Sequence, residues 1–444
     1  MEPEIAKLLL SIEADRLVVI CGAGLSMAEP SKVPSAAELA VYCSKEYLKI
    51  TGESVPQQAE HDLEKLTQHF IAMNAFESVF IRKLIIPMRS FSRYPNKGHF
   101  AIADFLAGGA IQMCVSTNVD LLIDEAAREL GEPVFIPALD GDEANIPRDH
   151  KPFLKIHGCL KREAEKTLWC SDQLSTDPLR RRIETSKTWL TANLRQRDLI
   201  FVGFWTDWAY LNEALLHCLE STDPNMIFLV DPEKPEVLQT KAPILWNLAT
   251  RARSGFKHIQ TSGDSFLDEL RKYFCLQFIK KLLSDSQDSY RALSKGGSYH
   301  GDFDFLDPLS TGDLYALRRD ACGIPQGEIV RQKNPDNKMS ILGAIHLLLL
   351  SHGASINGHE YTLEDKRIRV VQGAGEPLSI IKSRFMSEPS SPIKIDIVIC
   401  VSAFDDGGIA DIVRDRGIGN VIRGGSPAEW MVETKAIEVL GLNL

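Results

Sequence analysis

Short apolar runs recur along the first half of the chain, and each run ends at glycine or at polar residues. The runs lie at 17–21 (LVVIC), 111–116 (IQMCVS), 152–156 (PFLKI), 199–203 (LIFVG) and 226–231 (MIFLVD). A short apolar, β-branched run bounded by turn residues is typical of a strand buried on both faces of a parallel sheet. Helical patterns separate the runs, so the sequence predicts an α/β fold with a doubly wound, Rossmann-like parallel sheet.

The same patterning predicts how the chain is divided. Residues 36–106 carry several helical patterns and little strand signal, which indicates a helical insertion after the first strand. A helical stretch at 264–283 closes a predicted first domain, 1–283, and the polar stretch 284–305 predicts a linker. Residues 306–444 predict a smaller C-terminal mixed α/β domain. Its patterns include an apolar helix, a strand pair in YTLEDKRIRVVQG, a strand in IDIVICVS and a terminal helix in PAEWMVETKAIEVLG.

Composition narrows the class of protein. The 444 residues are enough for about two or three domains. Fifty Lys and Arg against 60 Asp and Glu give a net charge of -10, which argues against strong direct nucleic-acid binding. The first residues lack a signal-peptide pattern, and the apolar run at 341–350 is too short to cross a bilayer, so we expect a cytoplasmic protein without membrane contact. Nine cysteines without a Cys-x-x-Cys pair predict reduced, mostly buried thiols.

Unusual residues stand where the predicted strands end. Gly22-Ala23-Gly24-Leu25-Ser26 follows the first strand, Thr117-Asn118-Val119-Asp120 the second, and His157-Gly158 the third. The fourth strand ends in the segment 203–207 and the fifth at Asp231. In open α/β sheets ligands bind at the carboxyl ends of the strands. We therefore expect these segments to line one nucleotide-sized crevice.

Each segment also has a purely structural explanation. Position 27 is Met, so the glycine segment lacks the third glycine of a dinucleotide fingerprint and is compatible with a simple tight turn. Asn118 and Asp120 are the residue types that cap a helix, and an isolated His157 before glycine is typical of a turn. The combination and its order are more specific than any single segment.

That combination of GAGLS, TNVD, KIHG, VGFWTD and FLVD resembles the sirtuin NAD-binding domain over roughly residues 5 to 280. The resemblance implies that Ala23, Gly24 and Ser26 contact the phosphates and nearby ribose of NAD. It implies that Asn118 orients ribose or water, that Asp120 supports Asn118, and that His157 is the general base. The full set of implied cofactor-binding residues is Gly22, Ala23, Gly24, Ser26, Thr117, Gly203, Phe204, Asp207 and Asp231.

The chain departs from sirtuin deacylases on the peptide side. Deacylases carry two Cys-x-x-Cys pairs for a zinc ribbon after the His-Gly motif, whereas here Cys159 and Cys170 stand alone. The segment 168–171 (LWCS) does not resemble the one that pairs with an acyl-lysine peptide. This pattern is similar to the sirtuin-like NAD-hydrolysing effectors of bacterial antiphage defence, which split NAD into nicotinamide and ADP-ribose without a metal.

The resemblance implies an NAD glycohydrolase that acts as a gated abortive-infection effector. We expect a homo-oligomer, with the domain 306–444 as a candidate for regulation or assembly. Proteins of this kind are found with a HerA-type hexameric ATPase (DNA translocase), with a short Argonaute or with a ligand-sensing domain, and the HerA-type ATPase is the partner that we prefer here. Two alternatives remain open: a sirtuin-type protein deacylase or ADP-ribosyltransferase, and a non-catalytic NAD- or ADP-ribose-binding subunit of a DNA-processing complex.

Three further features have a structural interpretation. Arg180-Arg181-Arg182 predicts a solvated helix face rather than a nucleic-acid contact. Trp205 and Trp208 are compatible both with a wall of the nucleotide site and with core packing. The sequence shows no third candidate metal ligand near His346 and His352, so no metal site is expected there.

Overall fold

A computed structural model describes residues 2–88, 94–132, 151–175, 177, 179–203, 223–386, 388, 394–406 and 428–442. Its contacts divide the chain into two compact units, Met1–Leu270 and Arg271–Leu444. The division falls inside the helix Gly263–Asp285, whereas the sequence placed the end of the first domain at 283. The segment 284–305, for which we expected a linker, contains the helix Gln287–Leu293.

The first unit is built on a six-stranded sheet in which every pair is parallel. Its strands are β1 (Leu17–Cys21), β2 (Met113–Ser116), β3 (Phe153–Lys155), β4 (Asp198–Val202), β5 (Met226–Val230) and β6 (Phe256–Ile259). Their spatial order is β3-β2-β1-β4-β5-β6, the doubly wound order, in which the direction of chain travel reverses between β1 and β4. The predicted fold class is confirmed, and the sequence missed only β6 among these strands.

Helices cover this sheet and form the insertion. The helices of the first unit are Pro3–Glu13, Ala23–Met27, Ala36–Thr51, Leu63–Ala72, the π-helix Phe76–Ile85, Lys97–Ala107, Leu122–Glu129, Leu179–Asn193, Pro235–Lys241 and Pro243–Ala249, followed by Gly263–Asp285 at the boundary. The insertion has its own apolar core, in which Phe70 and Phe80 pack with Trp169 from the segment after β3. Ser35 and Asn96 begin two of these helices with capping boxes, which satisfy backbone N–H groups at the helix start.

The second unit contains a smaller mixed sheet, as predicted. Its strands are β7 (Ser355–Asn357), β8 (Glu360–Leu363), β9 (Lys366–Gln372), β10 (Ile397–Val401) and β11 (Glu429–Val432), in the order β11-β10-β9-β8-β7. Strands β9, β10 and β11 are parallel, and β7 and β8 are antiparallel additions. Its further helices are Thr311–Ala321, Ser340–Ser351, Leu378–Phe385 and Glu433–Val439.

Two details of the second unit refine the sequence prediction. The predicted terminal helix is preceded by β11, so residues 429–432 are extended and the helix begins only at Glu433. His346 is buried and its Nδ1 lies 2.7 Å from the Tyr361 hydroxyl, a core contact.

In the described part of the chain, no helix is both long and apolar enough to span a membrane.

Candidate functional site

The turns after the neighbouring strands β1 and β4 are in contact, at the point where the strand order of the sheet reverses. The N–H of Gly22 donates to the carbonyl of Val202 at 3.1 Å, and the N–H of Gly24 donates to the carbonyl of Gly203 at 3.0 Å. A Cβ on Gly24 would lie 2.8 Å from the Gly203 Cα, so glycine is required for this backbone approach. The glycines therefore join two strand ends. The amides of Gly22 and Gly24 therefore donate within the protein.

Ser26 is the centre of a buried hydrogen-bond network beneath these turns. It lies in the short helix Ala23–Met27, which directly follows the turn after β1, and it is fully buried. Its hydroxyl donates to Asp120 Oδ2 at 2.8 Å and accepts from Asn118 Nδ2 at 3.0 Å. The single hydroxyl hydrogen is thus committed to Asp120. In this arrangement Ser26 organises the site and has no hydrogen left to donate to a phosphate oxygen.

His99 completes the same network. Its Nδ1 accepts from the backbone N–H of Asn96 at 3.0 Å, and its Nε2 lies 3.2 Å from the Ser26 hydroxyl. Burial lowers the pKa of His99 to about 4, so the imidazole is neutral at pH 7. A neutral ring that accepts at Nδ1 carries its proton on Nε2, and His99 therefore donates to Ser26.

Asn118 and Asp120 lie in the turn after β2. The Asn118 amide donates to the Gly22 carbonyl at 3.2 Å as well as to Ser26, which leaves its Oδ1 as the amide atom suited to a ligand hydroxyl. Asp120 is buried, and its Oδ1 accepts from the N–H of Leu122, the first residue of the following helix. Asp120 therefore has both a structural role and a role in the site. Its Oδ1 accepts a hydrogen bond from the start of the helix, and its Oδ2 accepts one from Ser26.

His157 follows β3 at the same edge of the sheet. It is 5% exposed, and its hydrogen bond to the backbone of Thr117 places the ring beside the residue that precedes Asn118. The pKa of His157 is lowered to about 3, mainly by burial and further by the positive charge of Arg182, while the bond to Thr117 opposes the shift. The imidazole is therefore neutral at pH 7, the form that accepts a proton.

Arg182 contradicts the prediction of a solvated arginine face. Arg180 and Arg181 are exposed and pair with Asp177, as expected for a solvated face. Arg182 is only 3% exposed, and its Nη2 donates to the Lys166 carbonyl at 2.7 Å. It turns inward because it belongs to the buried face of its helix, where it lies next to the His157-Gly158 turn.

The remaining predicted residues take different places. Ala23 is exposed, and Gly24, Thr117, Asn118 and Gly203 are half-buried, so these five form the accessible rim of the site. Asp231 is buried after β5, where its Oδ1 accepts from the Glu233 N–H at 2.8 Å and burial raises its pKa. Phe204, Trp205, Asp207 and Trp208 lie outside the described residues.

In the segment after His157, the backbone N–H groups of residues 168–170 form hydrogen bonds within the protein. The N–H of Leu168 donates to the His157 carbonyl at 2.9 Å. The N–H groups of Trp169 and Cys170 donate to Gln173 Oε1 at 2.7 and 3.1 Å. These three backbone donors are therefore unavailable for pairing with an extended peptide. Cys159 and Cys170 are buried thiols, and nowhere in the described ranges do three or more His, Cys, Asp or Glu side chains form a group that could hold a metal ion.

Sequence reasoning missed three residues of this site, Asn96, His99 and Lys155, and it placed Arg182 wrongly on a solvated face. The spacing of Asn96 and His99 before a helix is a capping signal that could have drawn attention to them. A lysine inside the apolar run PFLKI is a second available signal, since a buried strand rarely carries an ammonium group.

Comparisons with known proteins find similarity to SIR2-like proteins. A SIR2-like domain model matches residues 112–250, a range that contains the turn after β2 and His157. Similar solved structures include a Sir2 homologue in complex with NAD, 16% identical, which covers 60% of this chain and 91% of its own at a TM-score of 0.33. Sir2Tm bound to a propionylated peptide is 13% identical, with 61% and 98% coverage and a TM-score of 0.35. No curated protein matches the chain.

Proposed function

We propose that this protein is an NAD glycohydrolase that cleaves NAD to nicotinamide and ADP-ribose. The observation that carries the proposal is the meeting of three strand ends in one network. The turn after β1 supplies Ser26, the turn after β2 supplies Asn118 and Asp120, and His157 reaches the β2 turn from β3. The SIR2-like match over residues 112–250 supports NAD as the substrate.

The residues suit the chemistry of the nicotinamide–ribose bond. This bond has a cationic leaving group, so its cleavage needs a held ribose and a positioned water. Asn118 Oδ1 would accept a hydrogen bond from a ribose hydroxyl, and Asp120 holds Asn118 in place through Ser26. Neutral His157 would take the proton of the attacking water. NAD and water are consumed, and nicotinamide, ADP-ribose and one proton are released.

The closed segment after His157 favours hydrolysis over protein deacylation. Leu168, Trp169 and Cys170 donate their backbone N–H groups within the protein, so an acyl-lysine peptide finds no such donors there. This supports an enzyme that acts on NAD without a peptide co-substrate.

Control of the activity is part of the proposal, because a freely active enzyme would exhaust the NAD of its own cell. The 5% exposure of His157 supports a gated site. By the resemblance of its motifs, we propose a cytoplasmic abortive-infection effector of antiphage defence. It would form a homo-oligomer, have a HerA-type ATPase as partner, and use the second unit for regulation or assembly.

The test is chromatography of NAD products from the purified protein, alone and with the product of the neighbouring gene. We expect nicotinamide and ADP-ribose without any acyl-peptide, and we expect His157→Ala to abolish both. His61→Ala is the matched control, since His61 is exposed on the helical insertion. Nicotinamide formed only with an acyl-peptide would establish deacylation instead. Tight NAD binding with no nicotinamide under either condition would establish a non-catalytic subunit.

A further inference from the structure

Lys155 is a buried lysine at the end of β3, two residues before His157. Its side chain is 1% exposed. The ammonium Nζ donates to the carbonyl of Asp120, lies 3.5 Å from the carbonyl of Val119, and lies 3.8 Å from Asp124 Oδ2. Lysine is almost never fully buried without a partner, because removing an ammonium group from water is costly. The contacts of the Lys155 ammonium group therefore indicate the role of this buried charge.

Three of the four contacts of the Lys155 ammonium group fall on the turn after β2 and the helix that follows it, and the fourth is to Cys159 Sγ at 3.8 Å. Two are backbone carbonyls of Val119 and Asp120, and the third is a carboxylate on the helix that follows this turn. The two carbonyls and the carboxylate are the oxygen acceptors among the four contacts, and the thiol is a weak acceptor. Lys155 thus joins β3, which carries His157, to the turn that carries Asn118 and Asp120.

We propose that Lys155 is a positioning residue, which fixes the turn after β2 so that Asn118 and Asp120 keep their geometry relative to His157. This inference rests on the proposed cleavage of NAD. Lys155 is buried beneath the turn and bonds to backbone, so it acts through the residues that face the substrate. A displacement of about 1 Å at a reacting group costs about 10²-fold in rate, so a backbone tie at this point has a measurable effect.

A simpler role for Lys155 is to neutralise Asp124. Burial raises the pKa of the Asp124 carboxyl, and the charge of Lys155 opposes that shift. Removing one partner of a buried ion pair destabilises a protein strongly, whereas replacing both with apolar residues is often neutral. The two roles can therefore be separated by a double substitution.

The experiment compares Lys155→Met, the double variant Lys155→Met/Asp124→Leu, and Lys151→Met in the full-length protein. Lys151 is the matched control, because it stands two residues before β3 and its Nζ bonds only the Gln112 side chain at 3.1 Å among the contacts described. Thermal unfolding and steady-state kinetics of nicotinamide release are measured for each variant. We expect Lys155→Met to lose both stability and activity, and Lys151→Met to retain both.

The double variant decides between the two roles. We expect it to recover the melting temperature of the wild type while its kcat stays about 10²-fold lower, with a smaller change in KM. Recovery of kcat together with stability would overturn the inference, because the lysine would then serve only Asp124. If the wild type releases no nicotinamide, the proposed function fails, and titration with ADP-ribose replaces the kinetic assay. In that case weaker binding by the stable double variant supports positioning, and unchanged binding contradicts it.

Discussion

Replacing Gly203 with alanine tests the contact between the turns after β1 and β4. Gly203 has φ of +55°, and a Cβ there would lie 2.3 Å from the Leu25 nitrogen and 2.6 Å from the Gly24 carbonyl carbon. Both neighbours are backbone atoms, so no side-chain rotation relieves the overlap. The two turns must separate to accept the methyl group, and the short helix that carries Ser26 moves with them.

The expected cost has two parts. The left-handed conformation costs a non-glycine residue about 1 kcal/mol, and forcing backbone apart in a packed region adds about 1–3 kcal/mol. In a unit of this size, 1 kcal/mol shifts the melting temperature by about 2–4 °C, so Gly203→Ala should lower it by about 5–15 °C.

Gly52→Ala is the matched control for Gly203→Ala. Gly52 also has a positive φ, +78°, but a Cβ there would meet nothing within 4 Å. Only the conformational cost applies, so its melting temperature should fall by about 2–4 °C. Thermal unfolding followed by circular dichroism measures both variants. Equal shifts for the two would refute the claim that the turns after β1 and β4 are in essential contact.

Three further predictions follow from the buried network and its charges. Ser26→Ala should lower the free energy of unfolding by about 2–4 kcal/mol, because buried Asp120 and His99 and half-buried Asn118 lose the hydroxyl; an unchanged denaturant midpoint would contradict the network. His99 and His157 have pKa values lowered to about 4 and about 3, so the unfolded chain binds more protons below pH 6.5 and stability falls as the pH is lowered. From pH 7 to pH 5 the loss should be about 2 kcal/mol for each histidine, and a pH-independent free energy of unfolding would argue against neutral buried rings. Arg182→Met should raise the pKa of His157 in an NMR titration, since the guanidinium lowers it, whereas Arg181→Met at the exposed neighbour should leave it in place.

In the first unit, the sequence predicted the five strands that are buried at nearly every position and missed the half-buried β6. β1 and β4 are buried at every position, and apart from Asp198 at the start of β4 their residues are apolar. β6 is only half-buried and contains Lys257 and His258, which hides it from an apolar-run criterion. β11 passes directly into the helix that begins at Glu433, so a single helical pattern covered both.

The candidate site was predictable in location and less so in the role of each residue. Strand ends in a parallel sheet share an edge, which is why Asn118 and His157 could be placed together from the order of the motifs. That Ser26 is fully buried and saturated depends on His99, which is 73 residues away in the sequence. Lys155 likewise reaches a turn about 35 residues earlier through backbone carbonyls, which carry no sequence signal.

The most direct test of the account is a crystal structure of the protein with ADP-ribose. We predict the anomeric carbon of the terminal ribose beside Asn118 and His157, with the pyrophosphate over Gly24 and Gly203 at the junction of β1 and β4. A nucleotide bound at another edge of the sheet, or with its terminal ribose remote from His157, would contradict the proposed cleavage site.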